Sequence, residues 1–312
     1  SILDHKQHTF LAGLYRCGSA FGMALLDLST GLFQVEQTDD VEALRDNLRR
    51  FAPTECVVPD DQAGEGWVAA VTGGDNGCLV TAADAWPFGY DAAYDILVRH
   101  FGVQSLEGFG CEGAAAPVGA AAGVLYYVRE DLRRAVGHVR ALRVRHSADY
   151  LVMDEATCAN LDLVPGPGRA AATTLLKVLD ATQTPMGGRL LRDWLLRPLA
   201  DVDRIRARHG AVDALMADRS VLRAVTDALA AVRDLERLIA KLGTGRGNAR
   251  DLVALGQSLG AVPPIRALVS GHSDALLASL GAAMTELPEL VDLVAAAIVD
   301  DPPIALQDGG LI

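Results

Sequence analysis

The sequence predicts two domains, an α/β domain followed by an all-α one, and three observations predict it. Between Thr9 and Val58 short apolar runs alternate with turn residues, the pattern of half-buried strands. From about residue 171 onward, apolar residues recur at helical spacing almost without a break. The charge changes as well: residues 1–135 hold 9 Lys+Arg against 19 Asp+Glu, and residues 136–312 hold 19 against 21. A length of 312 residues suits two domains of roughly 100–200 residues each. An apolar fraction of 50% supports a sizeable core in both.

Residues 1–8 form a polar lead-in. Thr9 to Arg16, Ala20 to Leu28 and Leu32 to Gln37 read as three strands. They are joined by the turns Cys17-Gly18-Ser19 and Asp27-Leu28-Ser29-Thr30-Gly31. Asp40 caps a helix to about Arg50, with Val41, Leu44 and Leu48 on its inner side. Glu55 to Val58 and Cys78 to Thr81 read as short buried strands, and Tyr90 to Phe101 as an amphipathic helix. Pro117 opens a long helix through Tyr126 and Tyr127 to about Arg134. Strands first, with helices interspersed, give a mixed sheet. Residues 136–150 read as a linker, and Leu151 to Asp154 as a short strand before a helix from Ala156. Pro165-Gly166-Pro167-Gly168 is a surface loop.

The helical half then runs over about 171–180, 186–196, 202–217, 219–230 and 232–243. Thr184-Pro185 offers a cap followed by proline at the first helical position, where a missing N–H costs nothing. Leu190, Leu191, Trp194 and Leu195 make the next stripe, and Pro198 ends it. Asp201 or Asp203 caps the following helix, whose buried stripe is Ile205, Val212, Leu215 and Met216. Asn248 caps a helix to about Ala261, which Pro263-Pro264 stops. Ser273 to Thr285 and Pro288 to Ile298 finish the set.

Composition narrows the function. An acidic first half is a poor phosphate-binding surface. Residues 184–250 hold 13 basic and 8 acidic groups; they could face DNA, though a solvated helix face is the simpler reading. Cys17, Cys56, Cys78, Cys111 and Cys158 are odd in number with no C-x-x-C pair. That argues against a disulfide framework or a zinc site and for a reducing cytoplasm. The longest charge-free apolar run, Gly113 to Val128, is 16 residues of mostly Gly and Ala, and reads as a buried helix rather than a membrane span. No stretch has the basic-then-apolar pattern of a secretory signal. The chain starts at Ser1 and reads as the interior of something longer.

Candidate chemistry is thin. Gly108-Phe109-Gly110-Cys111-Glu112-Gly113 spells G-x-G-x-x-G, but a dinucleotide site needs a firm strand just upstream, and Gln104 to Glu107 is not one. A Walker loop needs Gly-Lys, and none of Lys6, Lys177 and Lys241 follows glycine. Asp27 could sit on magnesium with Glu36, Glu55 or Asp95 in a two-metal nuclease, but an aspartate in a hairpin turn is the plainer reading. His5, His8, His100, His138, His146, His209 and His272 show no H-E-x-x-H. Asp234 to Arg237 reads as a salt-bridged helix surface. No catalytic, cofactor or metal residue is assigned.

Particular residues say more than periodicity. Thr184-Pro185-Met186-Gly187, Arg189-Leu190-Leu191, Trp194-Leu195, Pro198-Leu199 and Arg208 resemble the core (lever) domain of the MutS family of DNA mismatch repair proteins. Asp234-Leu235-Glu236-Arg237 with Arg250-Asp251-Leu252, and Asp301-Pro302-Pro303 with Asp308-Gly309-Gly310, are similar to its next two signatures. Asp27 to Gly31 after Ala24, Phe109-Gly110 and the Ala/Gly-rich helix after Pro117 resemble the family's connector domain. The resemblance implies a ribonuclease-H-like connector over 1–135, a linker over 136–150, and a helical core over 151–312 truncated before the clamp. The family's mismatch-reading Phe-x-Glu is absent, since no phenylalanine here has Glu two residues on.

By the same resemblance the stretch relays between mismatch-bound DNA and a distant ATPase, and its connector docks MutL. This stretch itself needs no cofactor; ATP and Mg belong to the full-length protein. Duplex binding here would be weak or nil, with no membrane involved. The full-length protein would be a homodimer and this stretch a monomer, in the cytoplasm at the nucleoid. For a MutL anchor, Trp67, Trp86 and Phe88 are the candidates. The alternatives are a ribonuclease-H-like metal nuclease with a helical appendage, and a free-standing helical interaction scaffold.

Overall fold

The computed structural model describes residues 5–73, 78–165 and 174–303. They fall into two compact units. The first takes His8–Ala148 and Val152–Val178; the second takes the residues up to Gln7, Asp149–Leu151 and those from Leu179 on.

Among the described residues the first unit is built on six strands: β1 (Leu11–Cys17), β2 (Ala20–Asp27), β3 (Leu32–Thr38), β4 (Glu55–Pro59), β5 (Leu79–Ala83) and β6 (Arg143–Arg145). Their order in the sheet is β5-β4-β1-β2-β3-β6. The first three form an antiparallel meander, while β4, β5 and β6 run parallel to β1, β4 and β3 respectively. Side chains of a strand alternate between faces, and β2 is buried on both. Met23 and Leu25 pack with α1 (Val41–Phe51) and α2 (Gly66–Thr72). Ala24 and Leu26 pack with α3 (Tyr90–Phe101) and α4 (Ala115–Tyr126).

Helix α4 lies almost on the backbone of the sheet. A Cβ at Gly13 would stand 2.3 Å from the Ala120 carbonyl oxygen, and one at Gly22 would stand 2.1 Å from that of Ala116. The Ala/Gly run therefore serves close approach, and every residue from Ala116 to Leu125 is buried. The helix ends earlier than its apolar pattern implies: a single π-type turn, Tyr127–Asp131, follows it.

Several expectations need correcting here. The presumed linker is structural through residue 148. Val136, Val139 and Leu142 are buried in the α3–α4 core, and β6 extends the sheet beside β3. Strand β5 is no buried strand but an exposed edge. Leu151 to Asp154 is not a strand: Tyr150 makes one bridge to Leu199, and Leu151 and Val152 are exposed. Helix α2 has no side-chain cap at Glu65, which is why no start signal marks it. Helices α5 (Glu155–Asn160) and α6 (Leu175–Leu179) follow; Gly166 to Gly168 of the expected loop and the start of the 171–180 helix fall outside the described residues.

The second unit is helical: α7 (Pro185–Leu196), α8 (Val202–Ala217), α9 (Arg219–Ala230), α10 (Leu235–Gly243), α11 (Ala249–Gly260), α12 (Val262–Ser270), α13 (Ala275–Ala283) and α14 (Pro288–Ala297). Thr184, Asp201, Asp218, Asp234, Asn248 and Asp274 each cap a helix by accepting from its first-turn N–H groups. Helix α11 ends at Gly260, just ahead of Pro263-Pro264 as expected, but the prolines also sit in the first turn of a new helix, α12, where proline fits best. The run Ala249–Ser270 has the length and composition to cross a membrane, yet it is divided between α11 and α12 at Ala261 and carries Arg250, Asp251 and Arg266. The α8 stripe is not buried, since Val212 and Met216 are exposed. A small core of Val232, Ala261 and Ile265 gathers Met186, Leu229, Leu235 and Met284 around it.

Candidate functional site

The second unit is tied by charged clasps. Arg189 on α7 is 2% exposed. Its Nη1 and Nη2 donate to Asp234 Oδ2 at 2.8 Å and Oδ1 at 2.7 Å, a bidentate pair. Nη2 also donates to Glu236 Oε2 at 2.7 Å, and Nη1 to the His5 carbonyl at 2.7 Å. Burial alone would lower the Arg189 pKa; hydrogen bonds and charge from Asp234 and Glu236 outweigh it and raise the pKa. Asp234 does two jobs, because its Oδ1 also accepts from the Arg237 N–H as the cap of α10. Arg237 Nη2 donates to the Gln7 carbonyl at 2.8 Å. Lys6 pairs with Asp180 at 2.8 Å and lies over Gly188, where a Cβ would stand 2.7 Å from its side chain.

A second clasp ties α11 to the segment after α14. Arg250 Nε donates to the Pro302 carbonyl at 2.7 Å, and Nη2 meets Asp301 Oδ1 at 3.3 Å. On the same helix Asn248 and Asp251 form a reciprocal capping box, and Lys241 reaches Asp251 at 2.7 Å. The signature stretches noted in the sequence are thus joined in pairs, Arg189 to Asp234 and Arg250 to Asp301-Pro302. Asp308 to Gly310 lies outside the described residues. Nothing in this set is arranged as nucleophile and base; its chemistry is cohesion.

In the first unit, the turn after β2 is organised by Asp27, which is fully buried. Its Oδ1 accepts from the Ser29 N–H at 2.8 Å and Oγ at 2.7 Å, and Oδ2 lies 2.6 Å from His8 Nδ1. Gly31 closes the turn at φ +78°, donating to the Asp27 carbonyl at 2.8 Å. Burial pushes the Asp27 pKa up, but the bonds from His8 and Ser29 outweigh it and hold the carboxyl below its ordinary value.

Residues 9–140 match the model of MutS domain II, and residues 156–312 that of MutS domain III. The chain belongs to the MutS family of DNA mismatch repair proteins. It is 40% identical over 320 residues to the DNA mismatch repair protein MutS of Symbiobacterium thermophilum, covering 100% of this chain and 36% of that protein. It is 36% identical over 316 residues to the MutS of Salinibacter ruber, covering 100% of this chain and 34% of that one. The chain therefore spans about a third of the length of the curated relatives it matches.

The other candidate residues go to separate places. Glu36 accepts from Asn47 Nδ2 at 2.9 Å. Glu55 Oε1 accepts from Thr81 Oγ1 at 2.6 Å and Tyr127 OH at 2.7 Å, and burial together with that carboxylate pushes the Tyr127 pKa up to about 12. Asp95 stands on the surface beside Arg99. Among the described residues no three His, Cys, Asp or Glu side chains are grouped to hold a metal ion. Glu107–Phe109, overlapping the start of the G-x-G-x-x-G stretch, is a 3-10 turn.

The cysteine expectation needs correcting: Cys56 and Cys78 form a disulfide between β4 and the start of β5. The parallel pairing of Cys56 with Val80 brings the two sulfurs together, a closeness that spacing in sequence does not reveal. Among the aromatic anchors, Trp67 and Phe88 are core residues, whereas Trp86 is 52% exposed and meets Tyr126 edge-on. In the basic stretch, Arg208 stacks over Trp194 at 3.6 Å and Arg197 over Tyr150 at 5.0 Å, while Arg204, Arg206, Arg219 and Arg223 are exposed.

Proposed function

We propose that this stretch of a MutS-family protein is its coupling element. It relays between mismatched duplex DNA and an ATPase, both held by other parts of the full-length protein, and its first unit docks MutL. The observation that carries the reading is the pair of clasps, which tie α7 to the cap of α10 and α11 to the segment after α14, holding stretches distant in sequence as one lever able to transmit a displacement. We read the first unit as ribonuclease-H-like, on the strength of an antiparallel meander flanked by parallel β4 and β5. Scattered carboxylates speak against using it as a nuclease. ATP and Mg are assigned to the full-length protein, since no lysine here follows glycine. A homodimeric full-length protein in the cytoplasm at the nucleoid fits this role.

The test is Asp234→Ala in full-length protein. Mismatch stimulation of ATP turnover should fall toward the level seen with matched duplex, while mismatch binding persists. Unaltered stimulation, with the α7–α10 amides demonstrably deprotected in hydrogen exchange, rules the lever reading out. For MutL, a pull-down with the 312-residue chain should succeed and weaken with Trp86→Ala. Duplex binding by this chain should be salt-sensitive and blind to a mismatch.

A further inference from the structure

We infer that the outer edge of β5 is a docking strand for an extended, lysine- or arginine-rich segment of a partner protein. Strand β5 ends the sheet order and pairs only with β4 among the described residues. The Ala83 carbonyl is taken by the Asp60 N–H at 2.8 Å. In a parallel ladder alternate residues face alternate neighbours. Leu79, Thr81 and Ala83 therefore bond toward β4, leaving the N–H and C=O groups of Val80 and Ala82 facing outward. Leu79 is 65% and Val80 37% exposed beside them. Edge strands are ordinarily blunted by lysine, proline, a bulge or a cover, and Leu79-Val80-Thr81-Ala82-Ala83 has no lysine, proline or bulge. The edge is also held ready to pair. The Cys56–Cys78 disulfide pins its start, and Thr81 Oγ1 donates to Glu55 in its middle. A strand fixed in advance loses little freedom when another adds to it.

Charge chooses the occupant. Between Arg50 and Arg99 the chain has no Lys, Arg or His, and eight Asp or Glu. Exposed Asp60 and Asp84 flank the C-terminal end of β5. Such a rim attracts a basic strand and repels nucleic acid. It also disfavours a second copy of this chain, which would set two acidic rims face to face. The inference stands apart from the MutL reading, because Trp86→Ala tests that one and leaves the β5 backbone intact.

The probe is a synthetic peptide of alternating valine and lysine, titrated into the 312-residue chain, with a valine–glutamate peptide as comparison. The valine–lysine peptide should bind, weaken with added salt, and lose at least about tenfold in affinity in both Val80→Pro and Val80→Lys. Proline at 80 removes only an outward N–H, so β1–β2 amide protection should be retained; Val80→Lys reads the same edge without proline. Equal affinity in Val80→Lys and the parent chain overturns the proposal. So does equal binding of the glutamate peptide, no binding of the lysine peptide, or a dimer in sedimentation that Val80→Lys abolishes.

Discussion

Replacing Gly13 by alanine puts the packing of α4 to a quantitative test. The new Cβ would sit 2.3 Å from the Ala120 carbonyl oxygen and 3.0 Å from the Val124 Cβ. An ordinary contact needs about 3.5 Å, so strand or helix must give by roughly 1 Å. A gap of that size forfeits about a quarter to a half of the dispersion well at each contact along the interface. Overpacked cores typically lose about 1–3 kcal/mol. Alanine returns about 0.4–1 kcal/mol by restricting the unfolded chain. Here the obstacle is backbone on a fully buried helix, which has no flexible end to swing away. Taking the upper end of the overpacking cost, the net loss is about 2–2.6 kcal/mol, or about 4–10 °C in the midpoint of a unit this size. The assay is thermal unfolding of the whole chain, followed by calorimetry and by tryptophan fluorescence, since Trp67 and Trp86 both lie in the first unit. Gly64→Ala is the control: its Cβ would meet nothing within 4 Å, and the midpoint should hold or rise slightly. If Gly13→Ala melts with Gly64→Ala, the reasoning from close approach is refuted.

Other perturbations have equally definite outcomes. The Asp27 pKa is lowered in the folded state, so its contribution is present above the unfolded value, about 4, and is lost as pH falls through the folded one. Asp27→Asn should therefore destabilise the first unit at neutral pH by about 1.5–3 kcal/mol, with the gap from the parent closing in acid; a gap independent of pH contradicts this. Asp234→Ala leaves Arg189 with a diminished set of acceptors while still buried, and should cost the second unit about 3–5 kcal/mol in denaturant unfolding; Arg237→Ala should cost less, because Arg237 lies at the edge of the clasp. Reducing the Cys56–Cys78 bond, whose partners are 22 residues apart, should lower the first unit's stability by about 3 kcal/mol, while Cys56→Ala/Cys78→Ala chains should be indifferent to reductant.

The strands of the meander and helix α1 were legible because their information is local. Alternation, turn residues and the Asp40 cap mark them within a few residues. What escaped was set by distant partners. Strand β6 is three residues, Arg143-Val144-Arg145, with no strand character until β3 lies beside it. Asp234 reads as half of a surface pair on its own helix; its principal partner, Arg189, is 45 residues away. The same holds for Arg250 and Pro302, 52 residues apart. Pro263-Pro264 marks the end of α11 correctly but hides the start of α12, because proline serves both the end of one helix and the first turn of the next. For the site, motif residues were legible as a set, and their mutual bonding was not.

The small core of the second unit has a thermodynamic consequence. The heat capacity of unfolding follows apolar surface newly exposed to water, about 12–15 cal/mol/K per residue in an ordinary domain. Val232, Ala261 and Ile265 make a slight core, while Val212, Met216, Ile239, Leu280 and Leu293 already face solvent. A unit of this kind unfolds with a low heat-capacity increment, so its stability curve is broad and shallow. Warming also reduces the dehydration cost of its buried ion pairs. The helical unit should thus keep its stiffness over a wider span of temperature than the sheet unit, whose cohesion rests on apolar contact.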